Sequence, residues 1–433
     1  MIISAKDLAI NGGSKARTTS EPPMFPGGME VGQAEEEAAA RVIKSKRLIR
    51  FYGPYDPEGD KNSEVDEFER EFAERMGADY ALGVTSCTAS LMTALVALGI
   101  GPGDEVIIPA YTFVATPSAV LAVGAIPILA DVDDSLTLDP HSAEENITEY
   151  TRAILPVHMR GMPAKMDEIV AIARGHSLAV IEDVAQAAGA AYRRRPLGSI
   201  GDVGCFSLQM HKIITTGEGG VLVTDDAETL FRAKCFHDSA SEWRGAAWQD
   251  PDPTVRATFE AFPGMNFRMA EITGAIGRVQ LRRLDGLLER MRVHKARIRQ
   301  AIVDSGRVEL RHVTDPDEAA TCVIFFGESP EHAHVLADAL QAEGLGARVL
   351  FSEGEHDWHV YACWRDILAK RTWNRQGYPF SLAHRPVDYS AAMCPKTLEL
   401  LGRAIHLDVA PQLTERDVNE TTDALTKVLA VLG

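Results

Sequence analysis

The sequence predicts an α/β protein: a mostly parallel central sheet flanked by helices, followed by a smaller C-terminal α/β domain. Three observations carry this. Between Tyr80 and Thr224 short apolar runs alternate with segments of helical periodicity. The runs are continuous in Val, Ile and Leu, as strands covered on both faces require. Repeated β-α units of this kind join parallel strands through helices packed on either side.

Residues 1 to about 35 are rich in Gly, Pro and Ser and read as an arm with a turn at Asn11-Gly12-Gly13. Helical spacing follows over Val31 to Ser45, a polar loop over Arg50 to Asn62, and a helix over Ser63 to Met76 with Val65, Phe68, Phe72 and Met76 on one face. Strands are expected at Tyr80–Val84, Glu105–Pro109, Ile126–Val132, Arg152–Val157, Leu178–Ile181 and Val221–Thr224. Helices are expected at Ala89–Leu98, Ala115–Val123 and Lys165–Arg174. A long helical region, Ala270 to Arg297, ends the sheet-rich part. Beyond it come a strand at Cys322–Phe326, a helix at Glu331–Glu343, a strand at Ala347–Leu350 and a terminal helix at Glu415–Leu432. The division is thus an arm and helix over 1–50, a large domain over 51–297 and a small domain over 298–433. The irregular stretch His356 to Tyr389, with Trp358, Trp364 and Trp373, reads either as a packed aromatic loop or as a substrate wall.

Composition narrows the function. With 44 basic and 62 acidic residues the net charge is −18, which opposes general binding to nucleic acid or anionic lipid. The six cysteines form no CxxC pair, so buried reduced thiols in a cytoplasmic protein are expected rather than a metal site. The N-terminus lacks the pattern of a signal peptide, and the nearly apolar stretch Pro117 to Ala130 is too short for a spanning helix.

Four segments follow apolar strands, where open parallel sheets place their ligands. Thr85-Ser86-Cys87-Thr88-Ala89 puts small hydroxyl residues at a helix N-terminus, suited to a phosphate, though Ser and Thr are also ordinary caps. Glu182-Asp183-Val184-Ala185-Gln186 offers a carboxylate that, facing a pyridine nitrogen, would keep it protonated; a solvated helix cap is the plainer alternative. Phe206 to Lys212 presents a lysine able to form an imine with an aldehyde cofactor, unless it is a surface lysine; His211 beside it is given no role. Thr215 to Gly220 has three glycines in its last four residues, which permits close backbone approach to a ligand.

In this order the segments resemble the pyridoxal-phosphate-dependent sugar aminotransferases of the DegT/DnrJ/EryC1/StrS group. The resemblance rests on TSCTASL, GDEVIIPAYTFVATPSAV, PVHMRGMPAKMDEI, VIEDVAQAAGA, GDVGCFSLQMHKIITTGEGG and GMNFRMAEITGAIGRVQL. It is dense over roughly residues 60 to 290. It implies a type I aminotransferase fold and pyridoxal 5'-phosphate as cofactor, with Lys212 as the Schiff-base lysine and proton shuttle. Asp183 would pair with the pyridine nitrogen, Gln186 would sit by the ring hydroxyl, and Phe113 would stack on the ring. Cys87, Thr88 and Ser207 match phosphate-binding positions. Asn266 matches an asparagine that reaches the phosphate of a neighbouring subunit, which implies a homodimer with shared active sites.

The implied reaction moves an amino group from glutamate or glutamine to a keto sugar or keto-cyclitol. The opening LAINGGSKAR resembles the aminocyclitol and aminobenzoate-forming branch. Dehydration on the same fold and a non-catalytic regulator are the alternatives; Lys212 and Asp183 favour transamination over both. A nicotinamide dehydrogenase would want GxGxxG after the first strand, where TSCTAS stands. Two departures stand out. Arg160 occupies a position usually apolar or aromatic, to contact substrate or pair with a carboxylate. Asp238-Ser239 replace a usual glycine, which puts substrate contacts in that loop in doubt.

Overall fold

The structure, a computed structural model, describes residues 3–50, 63–239 and 260–433. The loop expected over Arg50 to Asn62 lies, from residue 51 on, outside the described residues. The central sheet is built from β1 (Tyr80–Val84), β2 (Glu105–Pro109), β3 (Ile126–Ala130), β4 (Thr151–Ile154), β5 (Ala179–Asp183), β8 (Val203–Ser207) and β9 (Gly220–Thr224); β6 (Ala191–Tyr192) and β7 (Arg195–Pro196) form a separate hairpin. The seven strands run in the order β1-β9-β8-β5-β4-β2-β3. All pairings from β8 to β3 are parallel, and β9 runs antiparallel to both β1 and β8. Four of these strands, β2, β3, β8 and β9, are buried at every position, which is why their sequences do not alternate.

Helices Cys87–Ala97, Ala115–Ala122 and Ala227–His237 pack around one face, and Glu64–Met76 around the other with the long helix Glu271–Ser305. That long helix passes position 297 and runs eight residues beyond the expected end, closed by left-handed Gly306. The later part holds a second, antiparallel sheet of β10 (Glu309–Leu310), β11 (Cys322–Phe326), β12 (Arg348–Val349) and β13 (Ala404–Asp408), ordered β10-β11-β13-β12.

Three expected boundaries move for reasons that matter to the site. Glu182 and Asp183 do not follow β5 but complete it. Their side chains leave opposite faces, as successive strand residues must. Glu182, fully buried, takes His158 Nε2 at 3.1 Å and the N–H groups of Gly198, Ile200 and Gly201 at 2.7–2.9 Å. Burial raises its pKa, but the His158 bond and the backbone donors more than reverse this, and it lies below the ordinary value. His158 Nδ1 accepts from Ala164 N–H at 3.0 Å, so Nε2 holds the proton donated to Glu182. A charged residue in a strand is thus explained by a complete set of donors. The second shift brings Cys87 and Thr88 into the first turn of their helix, capped by Ser86, whose Oγ accepts from Ala89 N–H at 3.1 Å. The third is β13 with its preceding helix Pro395–Arg403, unread in the sequence because His406 and Asp408 interrupt an apolar run.

Candidate active site

The sheet register brings the phosphate candidates together. Ser207, last in β8, pairs with Gly220, first in β9, and Gly220 pairs with Val84 at the end of β1. The chain leaves β1 and enters the helix at Cys87. A Cβ on Gly220 would stand 2.4 Å from Ser86 C and O and 2.7 Å from Cys87 N. The absent side chain is therefore what lets β9 pass beneath the helix N-terminus. The N–H groups of Cys87 and Thr88, in the first turn, have no carbonyl four residues back to bond; together with buried Ser207 on the neighbouring strand they make up the candidate anion cup.

Gly220→Ala is predicted to push Ser86 and Cys87 aside. Overpacking of this kind costs about 1–3 kcal/mol. The expected result is a lower melting temperature and at least ~10-fold weaker binding of pyridoxal phosphate, read by fluorescence titration of the apoprotein; unchanged affinity would place the cup elsewhere.

Asp183, almost fully buried, accepts from Thr116 Oγ1 at 3.0 Å and from Ala185 N–H at 3.1 Å, and Thr116 in turn bonds Thr112 at 2.8 Å. Burial, the largest influence, raises its pKa; the two hydrogen bonds and the Lys212 charge oppose it. Lys212 is half-buried. Burial lowers its pKa, with Asp183 pulling upward and Arg160 adding to the depression. Asp183 ends β5 and Lys212 follows the end of the neighbouring parallel strand β8, so the fold brings both to the same end of the sheet.

The backbone at Lys212 is braced from two sides. Its carbonyl accepts from Gly27 N–H at 3.2 Å, and His211 meets the Phe25 ring edge-on at 4.4 Å between centroids. Thr215 N–H donates to Gln280 Oε1 at 3.2 Å, and Gln280 donates to buried Glu35 at 2.9 Å. Nothing local in the sequence signals these supports, which come from the arm and from the long helix.

Phe113 sits between Thr112 and Thr116, 43% exposed, its ring 5.4 Å from that of His359. The stretch 358–361 runs along 110–114: Thr112 N–H donates to the His359 carbonyl, Val114 N–H to that of Trp358, and Tyr361 N–H to that of Ala110, at 2.9–3.1 Å. His359 Nδ1 lies 2.7 Å from Asp357 Oδ1. Burial raises the Asp357 pKa, yet the His359 bonds bring it down to about 2. The irregular tryptophan segment therefore divides. Trp364 is buried core, Trp373 is 87% exposed, and 358–361 lies along 110–114. Sequence analysis did not single out Asp357 or His359, because only the long-range pairing with 110–114 brings them in.

Gln186 Oε1 accepts from Arg160 N–H at 3.0 Å, which leaves its amide NH₂ as the free end. Thr88 is half-buried at the helix start. Asn266 is exposed, in a segment bridged to Asp238, and no described contact within one chain joins it to Lys212 or Asp183. The missing glycine at 238 has a simple cause: Asp238 is extended (φ −130°, ψ 109°) and its buried carboxylate meets Arg268 at 2.6 Å. No group of three or more metal-ligating side chains exists among the described residues.

A lysine and a buried carboxylate sharing a cleft at the carboxyl ends of a mostly parallel sheet, with a glycine-lined anion cup beside them, define a pyridoxal-phosphate enzyme of the type I aminotransferase fold. The donor set fits that cofactor: Asp183 has no cation bound to it and is raised by burial, and the cup is kept open by a glycine. Comparison with known proteins takes this further. Residues 57–426 match the model of the DegT/DnrJ/EryC1/StrS aminotransferase family, and the chain belongs to that family. It is 32% identical over 371 residues to the spore coat polysaccharide biosynthesis protein SpsC of Bacillus subtilis (strain 168), covering 85% of this chain and 90% of that one. It is 32% identical over 433 residues to an L-glutamine:2-deoxy-scyllo-inosose aminotransferase of Streptomyces fradiae, covering 98% and 97%. Among solved structures it is similar to 3-amino-5-hydroxybenzoic acid synthase, at TM-score 0.74 and 27% identity over 95% of this chain and 99% of that one. The protein is an aminotransferase with pyridoxal 5'-phosphate as its cofactor. Among the described residues no helix is long and apolar enough to cross a membrane.

Proposed function

We propose that this enzyme transfers the amino group of L-glutamine or L-glutamate to a keto-cyclitol or keto sugar, with Lys212 as the condensing amine and proton carrier. The observation that carries the reading is the placement of buried Asp183 at the end of β5 and of half-buried Lys212 just beyond the end of its parallel neighbour β8. Bound pyridoxal phosphate supplies an electron sink for the donor's α-carbon. Every other part belongs to the chain. The Asp183 carboxylate would hold the pyridine nitrogen protonated, and Gln186 would offer its NH₂ to the ring hydroxyl. Phe113 would cover the ring face. Cys87, Thr88 and Ser207 would take the phosphate at the helix N-terminus. Lys212 Nζ would be the base that removes the donor's α-proton, a role contributing about 10²–10⁴-fold.

Asn266 completes the phosphate site of a second copy, in a cytoplasmic homodimer with shared active sites. Its exposure supports this, as do the exposed apolar side chains of Met29, Val31, Ile43, Ile49 and neighbouring Met265. The cyclitol class is favoured by the near full-length similarity to the inosose aminotransferase. The test is a panel of keto-cyclitols and keto sugars incubated with the holoenzyme and either donor, products being weighed by mass spectrometry. An aminated product from at least one acceptor is expected; a deoxygenated product without amine, or no donor-dependent product at all, would overturn the assignment.

A further inference from the structure

From the unpartnered state of one cation in this cleft, and resting on the transamination proposed above, we infer that Arg160 is the residue that binds the α-carboxylate of the amino donor.

The backbone at Arg160 is left-handed (φ 54°, ψ 38°), a conformation that L-residues other than Asn and Asp rarely adopt. It is held there from both ends. The Arg160 N–H donates to Gln186 Oε1 at 3.0 Å, and the Arg160 carbonyl accepts from Thr321 Oγ1 at 2.9 Å. The large-domain cleft and the strand leading to β13's partner β11 thus clamp one residue between them. Of the guanidinium, only Nε is committed, donating to the hydroxyl of fully buried Tyr111 at 3.3 Å. The two terminal nitrogens bond no described residue, and no described carboxylate forms an ion pair with Arg160. Asp357 is taken by His359 at 2.7 Å, and Asp408 acts on the guanidinium only from beyond ion-pair distance.

Leaving a half-buried guanidinium without a counter-charge is costly, and its planar fork matches a carboxylate in two parallel hydrogen bonds. The location selects which carboxylate. Arg160 lies beside Gln186 and acts on the Lys212 amine and on His359, whereas the anion cup is built from Ser207, Gly220 and the Cys87 turn. The Arg160 partners Tyr111 and Gln186 directly follow β2 and β5, so Arg160 stands at the same carboxyl ends of the parallel strands as Asp183 and Lys212. Any amino-acid donor brings a carboxylate to within one carbon of the reacting nitrogen, and Arg160 is the cation placed to meet it.

Arg160→Met keeps the stem and an L-residue backbone while removing the fork; Arg160→Lys keeps charge without it. The holoenzyme variants are compared in the first half-reaction, followed by loss of the yellow colour. The two donors are L-glutamine and 4-aminobutanamide, which is glutamine without its α-carboxyl group. Losing charge-assisted hydrogen bonds predicts a rise of about 10- to 100-fold in the half-saturating L-glutamine concentration for Arg160→Met. A smaller rise is expected for Arg160→Lys, and less than about 2-fold change with 4-aminobutanamide. Calorimetric titration with glutarate, which cannot react, should show the same loss of binding. Equal impairment with both donors, or unchanged L-glutamine and glutarate binding, would overturn the inference. Should wild type transaminate no donor, the proposed function fails on that ground, while the glutarate titration still decides the role of Arg160.

Discussion

Lys212→Ala is expected to reduce transamination by about 10⁴-fold or more, and to leave a protein that still binds pyridoxal phosphate through its cup. The size follows from two duties on one atom. Nζ provides the amine that condenses with the aldehyde, and it is the base for the α-proton; general acid–base work alone accounts for about 10²–10⁴-fold, and the covalent duty is lost with it. The pKa direction fits both duties. Burial lowers the amine's pKa and Arg160 lowers it further, against the upward pull of Asp183, so more of the side chain is neutral near pH 7 than for a surface lysine. Two measurements check the assignment. Borohydride treatment of the wild-type holoenzyme, followed by proteolysis and mass spectrometry, should fix the cofactor on the peptide carrying Lys212. Single-turnover kinetics of Lys212→Ala with added methylamine should recover part of the proton transfer. Label on a different lysine would move the catalytic amine.

How much of this could be read from the chain alone follows from which forces are local. β1, β2, β11 and the terminal helix Glu415–Leu432 lie where their apolar runs and periodicity put them, because each buries its own side chains by its own pattern. The antiparallel course of β9 left no mark, since a strand buried on both faces reads alike in either direction. Glu182 and Asp183 read as following the strand because charge is rare in buried strands; the place of Glu182 in β5 depends on donors from 158 and 198–201, which sequence proximity does not reveal. The ordered motifs nominated Lys212, Asp183, Gln186 and the turn at Cys87 as candidates. They could not show that Gly220 is small because Ser86 lies against it, nor that Asp357 and His359 reach the cleft by pairing 358–361 with 110–114. Arg160 was visible as a departure, but its unpaired fork is a property of the folded surroundings alone.

Asp183→Asn should separate stability from function, with opposite signs. In the cofactor-free protein the buried carboxylate is compensated by Thr116, Ala185 and the Lys212 charge, yet burial holds its pKa above the ordinary carboxyl value. A folded state whose acid has a raised pKa binds the proton more tightly than the unfolded chain does. Its contribution to stability is then present at low pH and falls as pH rises through the folded pKa. The neutral amide of similar shape escapes that loss. Apo Asp183→Asn is accordingly expected to melt higher than apo wild type, with a gap that opens as pH rises from about 4 toward neutrality. Cofactor binding reverses the order. A cationic pyridine nitrogen against Asp183 relieves the buried charge in wild type, and the amide offers it nothing, so the thermal stabilisation by pyridoxal phosphate should shrink in the variant. Activity should fall by about 10²–10³-fold, the scale on which removing one preorganised electrostatic partner acts. Differential scanning calorimetry of both proteins across pH 5 to 8, with and without pyridoxal phosphate, reads the first two effects, and steady-state kinetics the third. If the variant were less stable than wild type without cofactor and equally stabilised by it, Asp183 would be a structural acid and the pyridine nitrogen would have to find its partner elsewhere in the cleft.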